Sequence, residues 1–227
     1  MNPQAGSAPS GDHKASPLPL SLLWGPLIVF LLGIAAAWGW KGYREYSAAQ
    51  TALPVYGTVG DFTLVDRSGQ PFDLSDLKGR ISVLNFFFSS CTELCPLTMA
   101  QMARLQKPLV DAEEVRLVSI TVDPEHDTPS VLTEYAQRFV DQPGRWFFLT
   151  GDKKAIYALS LNTFHLAVEE IPEGLRQPGG DAFLHDGHFV LVDRQGQIRG
   201  YYDGLDSEAL ERLLQDIRSL LRERLGF

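Results

Sequence analysis

Leu84-Asn-Phe-Phe-Phe-Ser-Ser-Cys-Thr-Glu-Leu-Cys-Pro-Leu-Thr-Met99 is the stretch on which the reading of this chain turns. From Ile81 to Phe88 the residues are β-branched, aromatic and apolar almost throughout, as in a central strand covered on both faces. The only two cysteines of the protein, Cys91 and Cys95, follow at once. Beyond Pro96, Met99, Met102, Leu105 and Leu109 recur at helical spacing. The pair therefore sits at a strand-to-helix junction. Free N–H groups at a helix start carry partial positive charge and favour thiolate over thiol. Where the first turn is helical, residues four apart share a face, so two sulfurs reach one metal ion, or each other as a disulfide.

Outward from this stretch the pattern alternates. Phe62 to Leu74 reads as two short strands around the turn Asp66-Arg-Ser-Gly69, and Leu74 to Gly79 as a helical turn closed by glycine. Val115 to Val122 is a second central strand, Trp146 to Leu149 a third. Between them the segment Asp127-Thr-Pro129 supplies helix caps, with Asp123 and Asp127 bracing the loop. Asp152 starts a short helix ending near Leu161, Phe164 to Glu169 alternates like a strand, and Ile171 to Gly180 reads as a loop. A hairpin spans His188 to Tyr202, and a last helix from Asp206 or Ser207 buries Leu210, Leu213, Leu214, Ile217, Leu220 and Leu221. The fold class is a mixed α/β sandwich.

The first residues differ from the rest. Residues 1–17 are rich in Pro, Ser, Gly and Ala and are expected to be a disordered tail. Residues 18–40 carry no charged side chain and are flanked by Trp24, Trp38, Trp40 and Tyr43. Roughly 20 apolar residues cross a bilayer as a helix, so this is read as an uncleaved single-pass transmembrane anchor, with residues 41–54 as a linker and 55–227 as the globular domain. The net charge of −8 argues against nucleic acid as a partner, because phosphate binding needs a basic surface.

The motifs resemble those of the Sco/SenC family. They are Asp61-Phe-Thr-Leu, Leu77-Lys-Gly79, Cys91-x-x-x-Cys95-Pro after an aromatic strand, Val122-Asp-Pro-Glu-His-Asp-Thr-Pro129 and Leu149-Thr-Gly151. The resemblance covers roughly residues 55–225 and the anchor. It implies a thioredoxin-like fold, with a central mixed sheet flanked by helices, on a single membrane anchor. It further implies a copper chaperone for the copper A centre of cytochrome c oxidase, one copper per domain, held by Cys91, Cys95 and a downstream histidine. The family's histidine lies eight positions before the aspartate of a Phe-x-Leu-x-Asp-x-x-Gly strand; here that aspartate is Asp193 and the histidine His185. Leu184 and Asp186 flank it where relatives often have an acidic residue and Ser or Thr, and Thr92 and Glu93 depart likewise within the cysteine loop.

The ligand types agree with that implication. Thiolates select Cu(I), and an imidazole keeps Cu(II) within reach. Oxidation of Cys91 and Cys95 to a disulfide would abolish the site, which couples copper loading to thiol redox state. His188 starts a strand and competes with His185 by position; His13, His126 and His165 are read as non-ligands, and Met99 and Met102 as core. The resemblance thus implies a metallochaperone rather than an enzyme, in the cytoplasmic membrane with its domain on the periplasmic or equivalent outer side. The partners that the resemblance implies are the copper A-bearing oxidase subunit and a copper donor or thiol-reducing protein. The alternatives are a thiol–disulfide oxidoreductase using the Cys91/Cys95 pair and, more remotely, a peroxidase.

Overall fold

The computed structural model describes residues 25, 28–41, 53–92, 94–139, 144–176 and 181–223, the side chain of His185 excepted. The chain divides into two compact units, Met1–Ala52 and Leu53–Phe227. In the first, residues 28–41 form helix α1 with every described side chain exposed. Among the described residues no helix is long and apolar enough to cross a membrane. The remainder of the expected anchor (residues 18–24, 26 and 27), the tail 1–17 and residues 42–52 of the linker lie outside the described residues.

In the second unit, β1 (Gly57–Thr58), β2 (Thr63–Asp66), β3 (Pro71–Asp73), β4 (Ile81–Phe87), β5 (Val115–Thr121), β6 (Trp146–Thr150), β9 (His188–Val192) and β10 (Gln197–Asp203) form one sheet. Its order is β1-β10-β9-β4-β5-β6-β2-β3. β4, β5 and β6 run parallel, with Ile81 opposite Val115 and Leu117 opposite Trp146. β9 lies antiparallel on the other side of β4. Helices α2 (Leu74–Leu77), α3 (Leu94–Gln106), α4 (Pro129–Ala136), α5 (Lys153–Ala158) and α6 (Ser207–Glu223) complete the unit. This is the expected thioredoxin-like arrangement: the strand that leads into the cysteines sits inside the sheet, between β5 and β9. Every residue of β4 is buried, which is why its sequence does not alternate.

Local chemistry sets the joints. Asp66 Oδ1 accepts from the backbone N–H groups of Ser68 and Gln70, and Gly69 takes φ +81°, closing the β2–β3 hairpin. Thr128 caps α4 with Pro129 in its first turn, and Asp152 caps α5. In α6, Leu210, Leu213, Ile217 and Leu220 are buried, while Leu214 and Leu221 pack at the edge of the core.

Two segments differ from the sequence reading. Phe164 to Glu169 is not one strand: Leu159–Thr163 is a π-helical turn, His165 has φ +54°, and only Val168–Glu170 (β7) is extended. The alternation is real, since Phe164 and Leu166 are buried around an exposed His165. It arises from a tight turn, in which Leu166 N–H donates to Ser160 O while Ser160 Oγ donates to Leu166 O. The second is β8 (Phe183–His185), which pairs antiparallel with β7 in a separate two-stranded sheet, Val168 opposite His185.

Candidate metal centre

α3 begins at Leu94, so Cys95 and Pro96 both lie in its first turn, where a proline's missing N–H costs nothing. The Cys95 backbone N–H donates to Cys91 Sγ at 3.1 Å. A helix start leaves N–H groups without intrahelical partners, and here a sulfur takes one of them. The two cysteines are not joined by a disulfide. Cys95 is fully buried and Cys91 is 7% exposed. The Cys95 thiol is pushed far above the ordinary thiol range, first by its hydrogen bond with Cys91 and then by burial. Cys95 is therefore a thiol in the reduced protein.

A buried polar chain fixes α3 on the sheet. Trp146 Nε1 donates to Ser119 Oγ at 2.9 Å, Ser119 Oγ donates to Asn85 Oδ1 at 2.6 Å, and Asn85 Nδ2 donates to Met99 Sδ at 3.5 Å. Met99 is thus core, as expected. The end of β4 is held from a different loop. Asp127, fully buried, accepts from the Ser89 backbone N–H at 3.0 Å, from the hydroxyls of Ser89 and Thr121, and faces His126 Nδ1 at 2.9 Å. The brace expected of Asp127 reaches across the sheet to the residues that precede Cys91. His126 in turn has its pKa raised, chiefly by that contact with Asp127.

The segment 181–187 comes over this junction. Cys91 Sγ–H donates to Asp181 Oδ2 at 3.2 Å, and the Thr92 backbone N–H donates to Asp181 Oδ1 at 3.0 Å. Phe183 and Phe88 meet edge to face with ring centroids 5.1 Å apart. A side chain on Gly187 would touch Leu94 Cδ2 at 3.4 Å. The backbone of His185 is thus carried between contact points on Phe88, Cys91 and Leu94; its side chain lies outside the described residues. Among the described residues, no three His, Cys, Asp or Glu side chains stand close enough to hold a metal ion.

A model of the SCO1/SenC protein family matches residues 51–222. The chain belongs to the SCO1/SenC family. It is 32% identical over 168 residues to the SCO1 protein homolog of Bacillus subtilis, covering 73% of this chain and 84% of the relative. Among solved structures it resembles BsSco, described as having a disulfide switch and as a member of the Sco family of cytochrome c oxidase assembly proteins. That match has a TM-score of 0.64 at 31% identity, covering 74% of this chain and 95% of the other. It also resembles yeast Sco1 with copper bound, with a TM-score of 0.59 at 25% identity over 72% of this chain and 90% of that one.

Within this SCO1/SenC chain the other described histidines lie elsewhere. His188 is held by the Asp186 carboxylate. With Tyr56, His165, Leu166, Asp186 and Tyr201 it lines a cleft of about 330 Å³, and no cysteine is among the described lining residues. His126 faces Asp127, and His165 Nδ1 lies 3.3 Å from Leu161 O. Asp181 was missed by the sequence reading. Its only signal there is an acidic residue just after two glycines, in a stretch without periodicity.

Proposed function

We propose that this chain is a membrane-anchored copper chaperone that delivers copper to the copper A-bearing subunit of cytochrome c oxidase. Cys91 and Cys95 bind the ion as thiolates and His185 completes the set. The observation that carries the reading is the pair of reduced thiols at the start of α3, with the strand of His185 docked beside them through Phe183. Support comes also from yeast Sco1, solved with copper bound, and from BsSco, described as an oxidase assembly protein.

The chemistry follows from the donor set. Two sulfurs select Cu(I), and an imidazole extends the site to Cu(II). Binding displaces the thiol protons, so loading costs more at low pH. The two thiols are also close enough to couple: when an oxidant takes two electrons they join as a disulfide, two protons leave, and the metal-binding thiolates are gone. The disulfide switch described for BsSco supports this coupling. In this reading residues 1–17 are a tail, 18–40 the anchor in the cytoplasmic membrane, 41–54 a linker, and 55–227 the copper-binding domain on the outer side, where copper is received from a donor protein.

The test is anaerobic copper titration of the reduced full-length chain in detergent. One copper per chain is expected, lost in Cys91→Ser and Cys95→Ser and weakened in His185→Ala. Unchanged binding in the cysteine variants overturns the reading. A second reading, thiol–disulfide oxidoreductase, is favoured by the same reduced pair at a helix start. It predicts catalysed disulfide exchange that His185→Ala leaves alone.

A further inference from the structure

The cleft lined by Tyr56, His165, Leu166, Asp186, His188 and Tyr201 belongs to none of the motifs above, and its volume is about 330 Å³. Small-ligand pockets run to about 300–1,000 Å³. One wall is the edge of the sheet. Tyr56 lies just before β1, its N–H donates to Ile198 O on β10, and its ring meets that of Tyr201 edge to face at 5.6 Å. The other walls are the turn at His165 and the link from Asp186 to His188 between β8 and β9.

The polar groups here are acceptors. Asp186 Oδ1 accepts from the His188 backbone N–H at 2.9 Å and is faced by His188 Nδ1. That nitrogen therefore carries a proton, and Nε2 is the acceptor of the neutral ring. His165 Nδ1 stands 3.3 Å from Leu161 O, which sets the same tautomer. The Asp186 side chain is half-buried, and a carboxylate has about four lone-pair sites, more than His188 uses. Asp203, exposed and opposite His188 in the β9–β10 register, adds a second carboxylate nearby. No Lys or Arg is among the described lining residues.

A metal ion is not what these acceptors hold, because among the described residues no three His, Cys, Asp or Glu side chains stand close enough for one. The complement is an organic group with positive charge, donors only, and a flat face for a tyrosine ring. A guanidinium has all three, whereas an ammonium is compact and strongly hydrated. Tyr56 is 58% exposed, so its ring is open to stacking. The net charge of −8 complements a basic surface.

We propose that this cleft is a docking pocket for an arginine side chain of a partner protein. The guanidinium stacks on Tyr56 and donates to the Asp186 carboxylate. Asp186 directly follows His185, so the arginine brings the partner's surface to the strand that carries that histidine. The pocket takes the arginine whether or not the chain holds copper.

The test uses the copper-free, reduced full-length chain in detergent, with its tyrosine and histidine rings labelled for NMR. The probe is the capped tripeptide N-acetyl-Gly-Arg-Gly-amide, set against its citrulline, lysine and glutamate counterparts and against free arginine. The arginine peptide is expected to shift the ring signals of Tyr56, Tyr201 and His188 saturably. Asp186→Asn should weaken its binding about tenfold and Tyr56→Leu about threefold. The citrulline peptide, alike in shape but uncharged, should bind about tenfold more weakly. Tyr56 is exposed and lies outside every strand, so its variant reports even where Asp186→Asn disturbs the loop. Citrulline or glutamate binding as well as arginine overturns the proposal, as does an arginine peptide that leaves those ring signals in place or whose affinity neither variant changes. Lysine binding as tightly as arginine reduces the cleft to a general attraction for cations, and free arginine binding more tightly than the peptide makes it an amino-acid site; each overturns it too. With no copper present, none of these outcomes bears on the copper-binding reading.

Discussion

The ring of Phe183 meets the ring of Phe88 at 5.1 Å between centroids and 63° between planes. Phe88 follows directly on β4 and precedes the cysteines, and Phe183 opens the strand that carries His185. β7 and β8 pair with each other and with no other described strand. A lone two-stranded ribbon is marginal in water, so its order depends on what its side chains bury. Phe183 is 5% exposed and Val168 is 7% exposed. Removing the Phe183 ring costs about 3 kcal/mol, and by the tenfold-per-1.4 kcal/mol rule this is about a hundredfold in opening. Phe183→Ala is expected to raise amide exchange in 168–170 and 183–185 by about that factor while β4 and β5 exchange as before. Equal acceleration throughout the domain would show that the ring supports the whole core rather than the ribbon.

The Cys95 thiol has its pKa raised by its hydrogen bond with Cys91 and by burial, above an ordinary value of 9.0. The folded state thus holds a proton that the unfolded chain releases. The contribution of Cys95 is whole below about pH 9 and declines as the pH rises beyond it. The urea midpoint of the reduced chain is therefore expected to fall between pH 8 and pH 10.5, and Cys95→Ser to lessen that fall. Alkylation at pH 7 should reach Cys91 well before Cys95, since only the thiolate reacts and Cys95 is fully buried. A Cys95 that reacts as fast as Cys91 would contradict the assignment.

What could be read in the sequence followed local rules. β4 shows as an unbroken apolar run because both its faces are covered, and α6 shows because its leucines keep one helical face. Asp66, Thr128 and Asp152 show because caps and turns need particular side chains at particular places. The parts that were missed depend on long-range partners. β8 has three residues and no pattern of its own; its strand character comes from β7, across a loop. Asp181 matters through Cys91, ninety positions away in the chain. Arg199 is a charged residue inside a strand, and only the fold shows it bonded to Asp193 at 2.6 Å and to the carbonyls of Leu53 and Pro54. The register shift between Ile198 and Gly200 falls on that residue. The cysteine pair was legible because chemistry and position coincide in one short segment.

Asp127 has no exposure, and its carboxylate is surrounded by donors from two elements: the Ser89 N–H and hydroxyl before the cysteines, and the Thr121 hydroxyl at the end of β5. Replacing it with alanine takes the acceptor from the buried Thr121 hydroxyl and the half-buried Ser89 N–H, at about 3 kcal/mol in total. Part of that loss is placed on Ser89, two residues before Cys91, so Asp127→Ala should weaken copper binding as well as lower the unfolding midpoint. His126 adds a smaller, pH-dependent piece. Its pKa is raised by Asp127, so its contribution is whole below 6.5 and is lost as the pH rises through the raised value. The His126 side chain is 55% exposed, so solvent screening keeps this below about 1 kcal/mol. His126→Ala should therefore lower the urea midpoint at pH 5.5 and leave it near wild type at pH 8.5. An equal effect at both pH values would mean that His126 acts through packing and that the carboxylate is satisfied without it.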